Sequence, residues 1–201
     1  MDYGNQNFLT VELDPDLLST PFKIQTHWHV ITGAPCCGKT TLIKLLSGKG
    51  FQTVPEVGRD YIEREKAKGK TLNEIRASRV GFARVIEKLT LEHELELHPE
   101  DDIFLDRALP DCLSFARLVG FNPNEVLPDC FRHRYASVFI LDRFPVQKDA
   151  ARIEDDVAAG FLDEWLVRDY RALGYPVVRV PVLPPEKRLA HVLAMLSQKG
   201  G

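Results

Sequence analysis

The sequence predicts one three-layer α/β domain built on a five-stranded parallel sheet. Two observations carry this. Five short apolar runs alternate with helical stretches along the 201 residues, which is the pattern of a parallel sheet wrapped by helices on both faces. The composition, 44% hydrophobic and 27% charged with a net charge of −3, is that of a globular chain long enough to bury one core. There is no internal repeat and no low-complexity segment.

The elements follow in order. Residues 1–25 read as an N-terminal arm, turn-rich and punctuated by Pro15 and Pro21, and residues 26–201 as the domain. "HWHVITG" (27–33) is an apolar run ending in glycine, a buried strand. "KTTLIKLLSGKG" is a short helix stopped by Gly48 and Gly50. "FQTVPE" (51–56) is a second strand. "EVGRDYIEREKAKGK" is a helix up to Gly69, and the stretch from Thr71 to Pro99 reads as one long helix with apolar residues at Ile75, Val80, Phe82, Val85, Ile86, Leu89 and Leu91. "DDIFLDR" (101–107) is a third strand. "LPDCLSFARLVG" and "PNEVLPDCFRHR" read as two short helices. "YASVFILD" (135–142) is a fourth strand, "KDAARIEDDVAAGFLDEWLVRDYRALG" a helix to Gly174, "YPVVRVPVL" (175–183) a fifth strand, and "PPEKRLAHVLAMLSQ" a closing helix with proline at its start.

Several classes are disfavoured. A pI near 6.1 lacks the basic excess of a dedicated nucleic-acid binder. No apolar run approaches the roughly 20 residues of a membrane span. The N-terminus lacks the basic and apolar regions of a secretory signal. Cys36, Cys37, Cys112 and Cys130 have neither zinc-site spacing nor the number for a disulfide scaffold, and read as free thiols of a cytoplasmic protein. The six histidines are scattered without ligand partners, and Trp28 and Trp165 read as core.

Gly33-Ala34-Pro35-Cys36-Cys37-Gly38-Lys39-Thr40 matches GxxxxGK[ST] without a mismatch, between a strand and a helix. Gly33 and Gly38 let the backbone wrap closely, so its N–H groups form an anion nest at a helix N-terminus. Thr41 follows in the first turn. Lys39 is expected to reach the β- and γ-phosphates of a nucleoside triphosphate, and the Thr40 hydroxyl to bind Mg²⁺.

Asp106 and Arg107 end the third strand. Ligands of an open parallel sheet sit at the carboxyl ends of strands, so Asp106 is placed to hold Mg²⁺ and Arg107 to stabilise a transferred phosphoryl. The competing reading is a surface ion pair closing a strand end. Glu56 ends the second strand, where its carboxylate either accepts a proton from an attacking hydroxyl or satisfies the first turn of a helix. Lys148 and Arg152, four residues apart after the fourth strand, are either a basic lid over the phosphates or part of a solvated helix face.

These blocks, with "FLDRALPD", "VFILDRFPVQKDAARIED" and "YRALGYPVVRVPVLPPEKRLAHVL", together resemble the NadR-like AAA domain family of small ATPases and kinases, over residues 28–196. The resemblance implies a P-loop kinase-like fold with central strand order 2-3-1-4-5, binding ATP or GTP with Mg²⁺. It is similar to the nucleoside and nucleotide kinases. By position it makes Glu56 the base, Asp106 and Arg107 the acidic–arginine pair, Lys148 and Arg152 the lid, and the loop from Pro181 to Pro184 a border of the nucleotide base. The expected activity is phosphoryl transfer to a small-molecule hydroxyl. The alternative is a nucleotide-hydrolysing switch, although there is no NKxD motif of the Ras-like kind.

Overall fold

The computed structural model describes residues 8–145 and 153–197. Among these the strands are β1 (Ile24–Gln25), β2 (His29–Thr32), β3 (Gln52–Val54), β4 (Ile103–Asp106), β5 (His133–Arg134), β6 (Ser137–Leu141) and β7 (Val177–Val180). The helices are α1 (Pro15–Leu18), α2 (Lys39–Gly48), α3 (Val57–Ala67), α4 (Leu72–Ile75), α5 (Arg79–Glu96), α6 (Asp111–Val119), α7 (Ile153–Ala172) and α8 (Pro185–Ser197).

Five strands form the central sheet in the order β3-β4-β2-β6-β7, all parallel. Counting these five alone along the chain, the order is 2-3-1-4-5. The chain leaves β2 toward one edge and later returns to its other side, so a crevice opens at the carboxyl end of β2. In this register Ile31 of β2 pairs with Asp106 of β4.

Alternation along the strands creates two cores. Val30, Ile103, Leu105, Val138 and Ile140 face α6 and α7, where Leu113, Leu166 and Tyr170 meet them. Their neighbours Ile31, Phe104, Phe139 and Leu141 point the other way, onto Leu42 and Leu46 of α2 and Leu189 and Val192 of α8. A period of two on a sheet buried on both sides produces this division.

Three features depart from the sequence reading. The expected long helix is broken: Thr71 forms a capping box with Glu74, and Ser78 accepts from the Gly81 amide to start α5 afresh. Two competent N-caps so close together end one helix and begin another. On α5, Val80 and Val85 are exposed, while the buried residues are Thr90 and Glu94. The second expected helix after Gly120 is two 3₁₀ turns, Pro123–Glu125 and Leu127–Phe131, each with proline in its first turn. A short parallel pairing, β1 with β5, joins Ile24 to His133. Residues 8–22 pack on the domain: Leu13 is in the larger core, and Arg117 Nε donates to the Val11 carbonyl at 3.0 Å.

Candidate active site

The loop after β2 is shaped by its glycines. Gly33 has φ 146°, and a Cβ there would sit 2.9 Å from both Cys37 Sγ and the Leu141 carbonyl oxygen, so no larger residue fits. Gly38 has φ 90° and caps α2 without a side-chain bond. Cys36 takes a left-handed φ of 60° at the exposed tip. Cys37 is buried, and its carbonyl accepts from Arg188 of α8.

Lys39 folds back into its own loop, its Nζ donating to the carbonyls of Gly33 (3.2 Å) and Ala34 (3.4 Å). Burial, reinforced by the nearby Arg107 charge, lowers its pKa. Pro35 through Thr40 line a cleft of ≈ 730 Å³. Gly33 and Ala34 shape the loop behind that wall, and Thr41 is exposed.

The carboxyl end of β4 supplies the opposing chemistry. Asp106 is 7% exposed, and its Oδ1 is buried without a hydrogen-bond partner. Burial, then repulsion from Glu56, raises its pKa to about 6, against the attraction of Lys39 and Arg107. Arg107 adopts φ 72° while its amide still bonds the Ile31 carbonyl at 3.0 Å. A non-glycine residue held this way is the kind of local strain that collects at functional sites.

The Arg107 guanidinium is held on three sides. Nη1 donates to Asp111 Oδ1 at 2.9 Å, Nε lies 3.4 Å from Glu56 Oε1, and the Phe115 ring centroid is 5.0 Å from its Cζ. Burial works against this charge, but the carboxylates of Glu56, Asp111 and Asp106 outweigh it and push the pKa up. Asp111 is the hub: it also accepts from the Thr32 hydroxyl, the Ala108 amide at 3.3 Å and the Tyr170 hydroxyl at 2.6 Å. Asp106 is buried and the Arg107 side chain is 13% exposed, and the carboxylates that Arg107 meets are Glu56 and Asp111 rather than Asp106. Glu56 occupies the N-cap of α3 but makes no side-chain cap bond; its carboxylate turns to Arg107 instead.

The donors present suit Mg²⁺. The orphan Asp106 Oδ1 and the Thr40 hydroxyl line one cleft and are hard oxygen ligands. Among the described residues no cluster of three or more His, Cys, Asp or Glu could hold a metal by itself. An ion bound here would take its other ligands from phosphate oxygens and water, as Mg²⁺ commonly does.

A family model described as an AAA domain matches residues 28–188. The chain belongs to this AAA domain family. No curated protein matches its sequence. Solved structures do resemble it. One is NadR protein in complex with NR, at TM-score 0.60 and 18% identity, covering 86% of this chain and 51% of that one. Another is thymidylate kinase from Candida albicans, at TM-score 0.58 and 14% identity, covering 87% and 92%. This AAA domain chain thus spans about half the length of the NadR chain it matches, and at these identities the likeness establishes a shared P-loop kinase-like fold.

Within the AAA domain, Lys39, Glu56, Asp106 and Arg107 come together in one cleft. Lys148 and Arg152 lie outside the described residues. Sequence reasoning missed Asp111 and Arg188. Asp111 had a local signal, since it stands four residues after Arg107 in the first turn of α6. Arg188 had none. It is 151 residues from Cys37, whose carbonyl it binds, and it also donates to the carbonyls of Pro181 (2.8 Å) and Asp142 (3.0 Å). No described helix is long and apolar enough to cross a membrane.

Proposed function

We propose that the chain is a small-molecule kinase that moves the γ-phosphate of ATP, or GTP, onto a hydroxyl of a nucleoside-like metabolite. The observation that carries this reading is the convergence of Glu56, Asp106 and Arg107 on the cleft that the phosphate loop and Lys39 open into. A hydrolytic switch needs only water beside its nucleotide, whereas this cleft continues along α3 and α5.

In this proposal the loop amides and Lys39 hold the triphosphate, and Thr40 and Asp106 hold Mg²⁺, which supplies neutralisation of phosphate charge. The acceptor hydroxyl attacks the γ-phosphorus, its proton passes to Glu56, and the nucleoside diphosphate leaves. Arg107 stabilises charge on the transferred phosphoryl. Glu56 takes this proton as its contact with Arg107 opens.

The test is transfer of radiolabel from [γ-³²P]ATP across a panel of nucleosides and related alcohols. One labelled product is expected, lost in Lys39→Ala. An unlabelled panel with slow, acceptor-independent hydrolysis replaces the kinase by a switch. Undiminished turnover in Lys39→Ala overturns both.

A further inference from the structure

Among the described residues lining the cleft, basic side chains outnumber acidic ones. Its acidic residues are Glu56, Glu63, Asp106 and Asp111. Glu56 and Asp111 are engaged by Arg107, and Glu63 by Lys66 at 3.0 Å. Asp106 belongs to the phosphate end. Three further cations, Arg59, Arg76 and Arg79, line the same cleft from α3 and from the α4–α5 junction.

Arg59 and Arg76 pair with no carboxylate among the described residues. Arg76 Nε is buried without a hydrogen-bond partner, and its Cζ lies 5.4 Å from the Phe82 ring centroid. A ring face steadies a guanidinium without neutralising it. Arg79, the first residue of α5, lines the same wall. Like charges gathered on the wall of a concave site raise the local concentration of an anionic ligand. In the reading proposed above, the triphosphate is held at the other end of the cleft by the loop amides and Lys39. Beside the cations, Phe82 and Ile86 supply an apolar surface on the same wall.

We infer that the phosphoryl acceptor is itself an anion, carrying a phosphate or carboxylate group bound by Arg59 and Arg76 and an apolar or planar body that rests on Phe82 and Ile86. This deepens the kinase reading and depends on it for the word acceptor, but the anion subsite stands on the cleft alone.

Two measurements test it. In the first, protein saturated with Mg²⁺ and a non-hydrolysable ATP analogue is titrated with inorganic phosphate by ³¹P line broadening. The native chain should bind one phosphate, and Arg59→Gln/Arg76→Gln should bind it at least tenfold more weakly; continued saturation by the analogue shows that this variant is folded. Absent binding in the native chain, or equal binding in both, overturns the inference. The second compares radiolabel transfer to matched alcohols with and without an anionic group: nucleosides against their 5′-monophosphates, and polyols against hydroxycarboxylates. The anionic member of one pair should be labelled, which also decides between phosphate and carboxylate, and its KM should rise at least tenfold in Arg76→Gln. A neutral member labelled as well as its anionic counterpart overturns the inference. Phosphate binding that is sensitive to the arginines, with no labelled member in any pair, removes the kinase reading and leaves the anion subsite standing.

Discussion

Arg107 Nε at the end of β4 lies 3.4 Å from Glu56 Oε1 at the start of α3. This contact joins two crossover connections of the sheet, and it puts the candidate base and the candidate phosphoryl-stabilising cation in one place. Asp111 holds the same guanidinium from behind at 2.9 Å, so Arg107 keeps its position when Glu56 moves.

Replacing Glu56 by Gln therefore tests the base without dismantling the site. Turnover should fall by about 10²–10⁴-fold, the usual contribution of a positioned general base, while nucleotide still binds. Steady-state kinetics beside equilibrium nucleotide titration reads both. Unchanged kcat would remove Glu56 from the chemistry.

Asp106 is predicted to cost stability in the nucleotide-free protein. Burial and Glu56 hold its folded-state pKa at about 6, above the ordinary 3.8, so as pH rises the unfolded chain loses this proton first. Stability from the protonated carboxyl is complete below about pH 4 and is lost as pH passes through 6, by at most about 3 kcal/mol. Asp106→Asn should then melt above the native protein at pH 7, with the difference vanishing near pH 4. The same variant should lose the Mg²⁺ dependence of nucleotide affinity. A lower melting temperature for Asp106→Asn at pH 7 contradicts this account.

Arg188 ties three chain segments together through the carbonyls of Cys37, Pro181 and Asp142. Each is left without this donor in Arg188→Met, which should destabilise the fold by about 2–4 kcal/mol. The phosphate loop loses a support at Cys37, so nucleotide affinity should weaken as well. Denaturant titration and nucleotide titration check the two effects, and normal values in both would show that the tie is dispensable.

Of the four cysteines only Cys36 is exposed. Burial pushes the thiols of Cys112 and Cys130 well up, further reducing their reactivity. In native protein one thiol should react quickly with a disulfide reagent, and bound nucleotide should slow it, because Cys36 lines the cleft. Cys36→Ala should abolish the fast phase; its persistence in that variant refutes the assignment.

Much of this was legible in the sequence because it is local. Two glycines, a lysine and a threonine at fixed spacing between a strand and a helix specify the loop. The unbroken apolar runs in "SVFIL" and "IFLD" specify strands buried on both faces. The break between α4 and α5 was missed although its signals, Thr71 with Glu74 and Ser78 before Gly81, are also local. The apolar periodicity across that break overshadowed the caps.

The sequence by itself determined the phosphate loop, the five sheet strands and the residue types at their carboxyl ends. Only the tertiary structure decided which of those residues meet. That Glu56 faces Arg107 rather than its own helix end depends on how the start of α3 is set against the carboxyl end of β4, and Arg188 reaches Cys37 because α2 and α8 share one face of the sheet. Arg59, Arg76 and Arg79 face one volume only once α3, α4 and α5 are packed. Such contacts join residues far apart in the chain, and their partners are selected by packing, which no short stretch of sequence encodes.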